Sequence, residues 1–384
     1  MITVIADDIT GAAEIAGIGF RFGLRVALVI DAGAGFPEVD LLVYATDTRS
    51  MHRYQAEEES RRVVRQLQQG GCRAFFKKTD SVLRGHVMPE LEVLLEELGL
   101  PKALYLPENP SKGRVVRGGV YYIDGQPLDQ TFFANDPEFP ALSPKVMKQV
   151  PGLSAVLSPG KPLDGPGVFA ANAESDADIE THLAQTDDQT LLAGGADLFV
   201  VWLRRLGWKE QARPAFGGLG DRDALVVCGS TVQHSFSEFD YFRRKKIPFE
   251  TMPSEVFELE RNPESWFADL GEAYERNRSL VVAVGPHPRR EGKHPFRLRN
   301  VMALAVSSLV AARRPDELIV EGGSTAYTVL KALGWDRFRI TDEIAPGVVR
   351  MALDDDPDAH DMEGRGVSIT LKPGSYPWGD ALFR

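Results

Sequence analysis

Two adjacent aspartates lie where the first apolar run of the chain gives way to a helical pattern. The segment reads VIADDITGAAEIAG from residue 4, with Asp7 and Asp8 ahead of a helix-like stretch that begins at Gly11. A helix N-terminus attracts anions, but two carboxylates in front of it repel a bare phosphate. Ionised aspartates accept hydrogen bonds from polyol hydroxyls or bind Mg²⁺. The turn therefore predicts a site for hydroxyl groups or a metal ion. The alternative is that one aspartate caps the helix and the other faces solvent, although Thr10 is available as a cap.

Charged side chains of both signs follow two further apolar runs. The segment TDTRS contains Arg49, and FFKKTDSVLRGHV contains Lys78, Asp80, Ser81 and Arg84. Lys78 and Arg84 can clamp a carboxylate, Arg49 adds a second guanidinium, and Asp80 can act as a base or accept a hydroxyl hydrogen bond. Ligands bind beyond the carboxyl ends of parallel strands, so we expect these residues and the two aspartates to meet at one sheet edge. The alternative is a salt-bridged turn with a serine helix cap.

Glycine and hydroxyl residues follow three apolar runs in the second half of the chain. The segments are VVCGST, LIVEGGST and LKPGS, and their candidate residues are Ser230, Gly322, Gly323, Ser324, Thr325, Lys372 and Gly374. Glycine lets the backbone approach phosphate closely, and Lys372 adds a cation. The LIVEGGST segment matches neither a Walker A loop nor a Rossmann fingerprint. Together the three turns predict a site for nucleotide phosphates.

The elements that must position these residues alternate between strand and helix patterns. Strands are predicted at Thr3–Ala6, Val26–Ile30, Leu41–Ala45, Ala74–Lys77 and Ala103–Leu106, and helices at Gly11–Phe22, Ala56–Gln69 and Pro89–Leu98. This alternation is typical of a parallel α/β sheet. The stretch 109–161, rich in proline, glycine and aromatic residues, predicts loops or a small antiparallel addition that could cover a site.

The chain length predicts two domains, because 384 residues exceed what one hydrophobic core usually organises. The segment KEQARPAFGGLGDRD has the composition of a linker, so we expect one domain over residues 1–220 and another over 221–384. The predicted fold is two α/β domains with mainly parallel sheets facing an interdomain cleft.

The composition limits what the protein can bind. A formal net charge of -11 disfavours nucleic acid and anionic membranes as partners. No apolar run reaches the roughly 20 residues that span a bilayer, and a strand pattern stands at the N-terminus instead of a secretion signal, which favours the cytoplasm. Cys72 and Cys228 lack the spacing of a zinc site or disulfide framework, so we expect both in the core.

These motifs together resemble the four-carbon acid sugar kinase family. The matching segments are IADDITGAAEIAG, TDTRS, KKTDSVLRGHVMPEL, KGRVVRGGVYYIDGQPL, ANDP, LLAGGADL, GST, EGGSTAYTVLKALG, PGV and LKPGS, in the family's order along almost the whole chain. The resemblance implies an N-terminal acid-sugar-binding domain and a C-terminal ATP-binding domain. It also implies transfer of the ATP γ-phosphoryl group to the terminal hydroxyl of threonate, erythronate or 3-oxotetronate.

The resemblance also implies roles for single residues. Those that would meet the acid sugar are Asp7, Asp8, Arg49, Lys78, Asp80, Ser81 and Arg84, and those that would line the nucleotide are Ser230, Gly322, Gly323, Ser324, Thr325 and Gly374. The chain departs from the family in several places: Ser324 stands where glutamate is usual, Glu14 where aspartate is common, and LKPGSYPWG where the family often reads Lys-Ser-Gly-Asn-Phe-Gly, and the chain is somewhat shorter than usual.

We expect the second domain to hold ATP with Mg²⁺, while Arg49, Lys78 and Arg84 anchor the substrate carboxylate. Asp8 or Asp80 would orient or deprotonate the attacking hydroxyl, and domain closure would exclude water. The expected partners are the acid sugar and ATP, with no nucleic acid and no membrane, and the chain could form a homodimer.

Two other functions stay open at this point. One is a non-catalytic acid-sugar-binding protein, and the other is an aspartate-dependent metal phosphatase. The phosphatase pattern needs two aspartates separated by one residue, which places both carboxylates on one face of a strand. Asp7 and Asp8 are adjacent, so in a continued strand they would point to opposite faces.

Overall fold

The protein is described by a computed structural model that covers residues 1–31, 35–136, 138–213, 215–229, 240–258, 262–285, 295–354 and 366–374. It divides into two compact units, the first comprising Met1–Val26 with Gly33–Gln211 and the second Ala27–Ala32 with Ala212–Arg384. The boundary predicted at residue 220 thus lies within the second unit, which also takes a short segment from the N-terminal part of the chain.

The described elements alternate along much of the chain, as the sequence predicts. The strands are β1 Ile2–Ala6, β2 Val26–Val29, β3 Leu41–Ala45, β4 Ala74–Lys78, β5 Lys102–Leu106, β6 Arg114–Arg117, β7 Val120–Ile123, β8 Gln126–Pro127, β9 Ala155–Leu157, β10 Gly167–Ala171, β11 Thr190–Gly194, β12 Ala224–Cys228, β13 Phe249–Thr251, β14 Leu280–Ala283, β15 Glu317–Glu321, β16 Arg337–Ala345, β17 Val348–Leu353 and β18 Ser368–Lys372. The helices are α1 Ile9–Arg21, α2 Arg53–Gln69, α3 Val87–Leu98, α4 Val146–Gln149, α5 Asp176–Leu183, α6 Ala196–Arg205, α7 Asp240–Arg244, α8 Ser254–Phe257, α9 Glu264–Asn277, α10 Pro295–Ala312 and α11 Gly323–Leu333.

The sheet of the first unit is parallel, with strand order β3-β1-β4-β11-β5-β10-β9. All five residues of β1 are buried, as expected for a parallel strand that helices cover on both faces. Ala6 at the end of β1 pairs with Ala45 on one side and Lys78 on the other. The carboxyl ends of β1, β3 and β4 are therefore level, and the residues that follow them lie side by side.

A small antiparallel sheet, β6-β7-β8, belongs to the same unit and confirms the addition predicted in residues 109–161. Arg114, the first residue of β6, is also held against the loop after β5, because its backbone N–H and C=O both bond to Asn109, at 3.1 and 3.0 Å. This contact brings the small sheet to the carboxyl end of the main sheet.

The sheet of the second unit has the order β13-β14-β12-β15-β18-β17-β16-β2. The five neighbouring strands β13, β14, β12, β15 and β18 pair in parallel. The pairs β18–β17, β17–β16 and β16–β2 are antiparallel. The residues of β12, β14 and β15 are all buried. The fold is therefore mixed α/β with mainly parallel strands, as predicted, and Cys72 and Cys228 are buried as predicted.

The helix starts differ from the sequence-based positions. Helix α1 begins at Ile9 instead of Gly11, because the Asp8 side chain accepts a hydrogen bond from Gly11 N and caps it. Helices α2 and α3 likewise begin before Ala56 and Pro89. Within the described ranges, no helix has the length and apolar character needed to cross a bilayer.

Candidate functional site

Arg49 lies at the centre of the charged cluster at the carboxyl ends of β1, β3 and β4. Its Nε and NH2 groups donate to the two oxygens of Asp7 at 2.8 and 3.0 Å, and NH1 donates to Asp8 Oδ2 at 2.8 Å. Asp80 Oδ1 lies 3.6 Å from NH1. A short 3₁₀ turn, Thr48–Ser50, directs Arg49 back towards β1, where its backbone N–H donates to Asp7 O. One guanidinium thus holds three aspartates, which we call the Arg49 cluster.

Asp7 and Asp8 both face Arg49, because the continued strand in which they would point to opposite faces does not form. The strand ends at Ala6, and the alternation of side chains ends with it. The N-cap is Asp8, as the alternative interpretation of the turn had it, and the available Thr10 instead donates its hydroxyl to Asp8 Oδ2 at 2.6 Å. Asp8 therefore caps α1 through Oδ1, which accepts from Gly11 N at 2.8 Å, and contacts Arg49 through Oδ2.

Asp80 joins the Arg49 cluster to Arg84. Arg84 binds Asp80 in bidentate fashion, with Nε and NH2 each 3.0 Å from a carboxylate oxygen, and its NH1 binds Asp136 at 3.0 Å. The backbone N–H of Val82 also donates to Asp80, at 3.1 Å. Both arginines predicted to clamp a substrate carboxylate are therefore already paired with aspartates.

Two aspartates of this cluster, Asp8 and Asp80, are ionised at neutral pH. Burial raises the pKa of Asp8, but the charge of Arg49 and the hydrogen bond from Thr10 outweigh it and lower that pKa below its usual value. Burial likewise raises the pKa of Asp80, and the charges of Arg49 and Arg84 lower it well below the usual range. Asp8 accepts three hydrogen bonds and keeps a lone pair for a hydroxyl group, and Asp80 Oδ1, which accepts one bond from Arg84, keeps another.

Glu14 of α1 gathers two lysines beside the cluster. Lys112 donates to Glu14 Oε1, and Lys78 Nζ lies 3.5 Å from Glu14 Oε2 while it donates to Thr79 O at 2.9 Å. Lys77, the neighbour of Lys78, points elsewhere and forms a buried pair with Glu90 at 2.5 Å. The alternation of β4 therefore sends one lysine to the site and one to the core.

Ser81 connects the site to the small antiparallel sheet. Its hydroxyl accepts a hydrogen bond from Arg114 of β6, and its backbone carbonyl accepts one from the Tyr121 hydroxyl of β7. The Phe133 ring lies under both Arg84 and Arg114, with guanidinium carbons 5.4 and 5.9 Å from its centroid.

Five residues that contact the predicted ones were not among those predicted: Lys112, Arg114, Tyr121, Phe133 and Asp136. They lie in or beside KGRVVRGGVYYIDGQPL and ANDP, segments that carry the family resemblance, which was the available signal.

In the second unit, the turn before α11 and the first turn of this helix carry four of the residues predicted to line the nucleotide. Gly322 takes φ +96°, a conformation that glycine adopts readily, and α11 begins at Gly323 with Ser324 and Thr325 in its first turn. Gly322 N donates to Lys372 O at 2.9 Å, and Gly229 N donates to Glu321 O at 3.2 Å. Thus the ends of β12, β15 and β18 meet.

The cation predicted for the nucleotide site is already paired. Lys372 is 3% exposed, and its Nζ lies 2.7 Å from Glu321 Oε1. Gly374 is exposed after β18. Ser230 lies outside the described residues.

No group of three or more metal-binding side chains occurs in the part of the chain that the structure describes.

Comparisons with known proteins associate the N-terminal part of the chain with sugar binding and the C-terminal part with nucleotide binding. A family model described as a sugar-binding N-terminal domain matches residues 2–160, and one described as a nucleotide-binding C-terminal domain matches residues 225–380. A 3-oxo-tetronate kinase from Brucella melitensis is 26% identical over 97% of this chain and 92% of its own length. A D-threonate kinase from Cupriavidus necator is 27% identical over 99% of this chain and 96% of its own.

Two solved structures share the fold. A protein from Salmonella typhimurium LT2 superposes with a TM-score of 0.77 at 22% identity, covering 100% of this chain and 97% of its own. A protein from Haemophilus influenzae gives a TM-score of 0.73 at 22% identity, covering 99% of this chain and 98% of its own.

Proposed function

The chain belongs to the four-carbon acid sugar kinase family and is a carbohydrate kinase, and from this premise we propose that it transfers the γ-phosphoryl group of ATP to the terminal (4-) hydroxyl of a four-carbon acid sugar. Threonate, erythronate and 3-oxotetronate are the proposed substrates. The acid sugar and ATP are the proposed partners. The cytoplasm is the proposed location, because the reaction uses ATP. The homodimer stays a prediction.

The Arg49 cluster is the observation that carries this proposal. The carboxyl oxygens of Asp7, Asp8 and Asp80 offer acceptors to several hydroxyl groups at once, while Lys78, Ser81 and Arg84 surround them with donors. A polyol acid presents both hydroxyl donors and an anionic acceptor, so this mixed lining suits it.

In the proposed mechanism, Asp8 and Asp80 orient the attacking hydroxyl. Phosphoryl transfer proceeds through a loose transition state, so alignment and charge neutralisation contribute most of the rate. The lowered pKa of each of these two aspartates keeps it ionised and able to accept the hydroxyl proton in a hydrogen bond. Proximity and orientation are therefore the main contribution that we assign to these residues.

ATP is proposed to bind the turns of the second unit. Backbone N–H groups at the start of α11 would hold its phosphates, with the residues predicted for this site: Ser230, Gly322, Gly323, Ser324, Thr325, Lys372 and Gly374. Mg²⁺ would arrive on the ATP phosphates, since it is commonly held by substrate phosphates and water. The described residues supply no metal cluster of their own, and no step is assigned to a protein-bound metal.

The test is ADP release by the wild-type protein with ATP and each of the three acid sugars, alone and in D8N and D80N variants. We expect ATP-dependent turnover with at least one acid sugar and a fall in kcat of about 100-fold or more in each variant. D269N, at an exposed aspartate of α9, is the matched control and should keep wild-type kcat.

Two outcomes would count against different parts of the proposal. Full activity in both D8N and D80N would remove the aspartates from catalysis. Absence of turnover with all three acid sugars would remove the substrate class. The two alternative functions, a non-catalytic binding protein and a metal phosphatase, are left without support, because the curated relatives are kinases.

A further inference from the structure

Arg114 differs from the other cations of the sugar-binding site in its partners. Arg49 and Arg84 bind aspartates, and Lys78 and Lys112 lie against Glu14. Arg114 contacts the Ser81 hydroxyl and the Phe133 ring, and within the described residues no carboxylate lies at ion-pair distance from it. It is the cation of this site whose charge the described protein side chains leave unmatched.

The position of Arg114 is fixed by its backbone and by the ring beneath it. Both of its backbone groups bond to Asn109, and its guanidinium lies 5.9 Å from the Phe133 centroid. Ser81, its hydrogen-bond partner, immediately follows Asp80 of the Arg49 cluster. A guanidinium carries five N–H donors, so the bond to Ser81 leaves most of them for a ligand.

The alternatives to Arg114 as a carboxylate anchor are costly. A substrate carboxylate that took Arg49 or Arg84 would compete with aspartates that are at most 16% exposed in their side chains. Removing one partner of a buried ion pair leaves the other charge uncompensated, which is strongly unfavourable. The Arg114 guanidinium can donate two parallel hydrogen bonds to a planar carboxylate without displacing a carboxylate of the described residues.

We propose that Arg114 binds the carboxylate of the acid sugar, beside Ser81, and that Arg49 and Arg84 are positioning residues that hold the aspartates for the substrate hydroxyls. This inference rests on the proposed function, because it names how that substrate is oriented. The carboxylate end lies at β6 of the small sheet, and the hydroxyl end lies at the carboxyl ends of β1 and β4. The small sheet then supplies the selectivity for acids over neutral polyols.

The chain offers a matched control on the same strand. Arg117 of β6 also lies over an aromatic ring, 5.8 Å from the Tyr122 centroid, but it is exposed and paired with Glu174. R114Q and R117Q therefore remove the same charge from the same strand, one facing the site and one facing solvent. R114K keeps the charge and loses the bidentate geometry, so it serves as the conservative variant.

The experiment measures kinetics and binding in these three variants. For R114Q we expect the acid-sugar KM to rise about 100-fold or more, with the KM for ATP and the rate with erythritol, a neutral four-carbon polyol, unchanged. R114K should fall between R114Q and wild type, and R117Q should match wild type. Calorimetry with the acid sugar alone should show the same order of affinities without any turnover.

The outcomes separate this inference from the proposed function. If wild type phosphorylates an acid sugar but R114Q behaves as R117Q does, the role of Arg114 is refuted and the kinase proposal stands. If R114Q lowers the rates with acid sugar and erythritol equally, Arg114 supports the fold of the site and does not select the carboxylate. If wild type neither binds nor phosphorylates any acid sugar, both proposals fall.

Discussion

Glu108, just after β5, is a buried carboxyl outside the Arg49 cluster. Its side chain is fully buried, and neither carboxyl oxygen makes a hydrogen bond of good geometry to the described residues. Burial raises the pKa of Glu108 well above its usual value, although the nearby backbone amides of Glu108 and Ala173 lower it in part. Glu108 therefore stays protonated at a pH where an exposed glutamate is ionised.

This protonation makes stability depend on pH. The stabilisation from a raised carboxyl pKa is complete below the unfolded-state pKa of about 4.3 and is lost as pH rises through the folded-state value. We expect E108Q, which stays neutral, to gain in melting temperature relative to wild type between pH 5 and pH 8. E275Q, at an exposed glutamate of α9, should show no such gain. Parallel pH profiles for wild type and E108Q would contradict the assignment.

At the residue scale, the sequence predicts the part of the site that follows from strand ends. Asp7, Arg49 and Asp80 meet because parallel strands bring their carboxyl ends to one edge. The place of Arg114 depends on how the small sheet docks, which is a long-range contact that local patterns do not encode. The pairing of each charge, including the cap at Asp8, likewise needed the folded geometry.

At the scale of elements, two helical glycines have opposite surroundings. Gly19 of α1 lies against β2 and β3, so that an added Cβ would overlap Leu41 Cδ2 and lie 3.1 Å from Val26 Cγ2. Gly271 of α9 would place a Cβ in open space, with no atom within 4 Å. The same residue type therefore serves close packing in α1 and has no packing role in α9.

Alanine at these two positions should change stability in opposite directions. In G271A the helix gains propensity, and we expect an increase of about 0.5–1 kcal/mol in the free energy of unfolding. In G19A the same gain is outweighed by overpacking, which typically costs about 1–3 kcal/mol. Thermal melting of the two variants beside wild type checks this, and a G19A protein as stable as G271A would show that α1 can move away from β3.

The elements themselves were largely predictable, and their exact starts were not. Apolar runs located β1 and β3 because buried parallel strands are almost uniformly apolar. Helix α2 begins at Arg53, ahead of the first buried residue of its apolar stripe, Ala56, because a helix can start before its buried face does.

At the scale of the whole molecule, two units divide the proposed chemistry. The Arg49 cluster and Arg114 lie in the first unit, and the turn before α11 lies in the second. A ligand that binds only the folded state stabilises it by about 2.7 kcal/mol at 100 times its Kd. Acid sugar and ATP should therefore each raise the melting temperature when added alone.

The variant R114Q should separate these two shifts. We expect it to lose the shift with acid sugar and to keep the shift with ATP, because Arg114 and the proposed ATP turn belong to different units. Fluorescence-monitored melting of wild type and R114Q with each ligand measures this. Loss of both shifts would mean that the substitution damages more than the carboxylate subsite.

Strand β2 limits where this chain can be truncated to give a separate C-terminal fragment. Its residues 27–29 pair with Arg337–Arg339 of β16, so the C-terminal unit is completed by a segment translated near the start of the chain. A fragment that begins at residue 212 would leave this side of β16 with unpaired backbone N–H and C=O groups. Such an open edge is a template for another strand, so the isolated fragment would be prone to associate with copies of itself. A separate peptide carrying residues 24–32 would be the natural means of covering that edge.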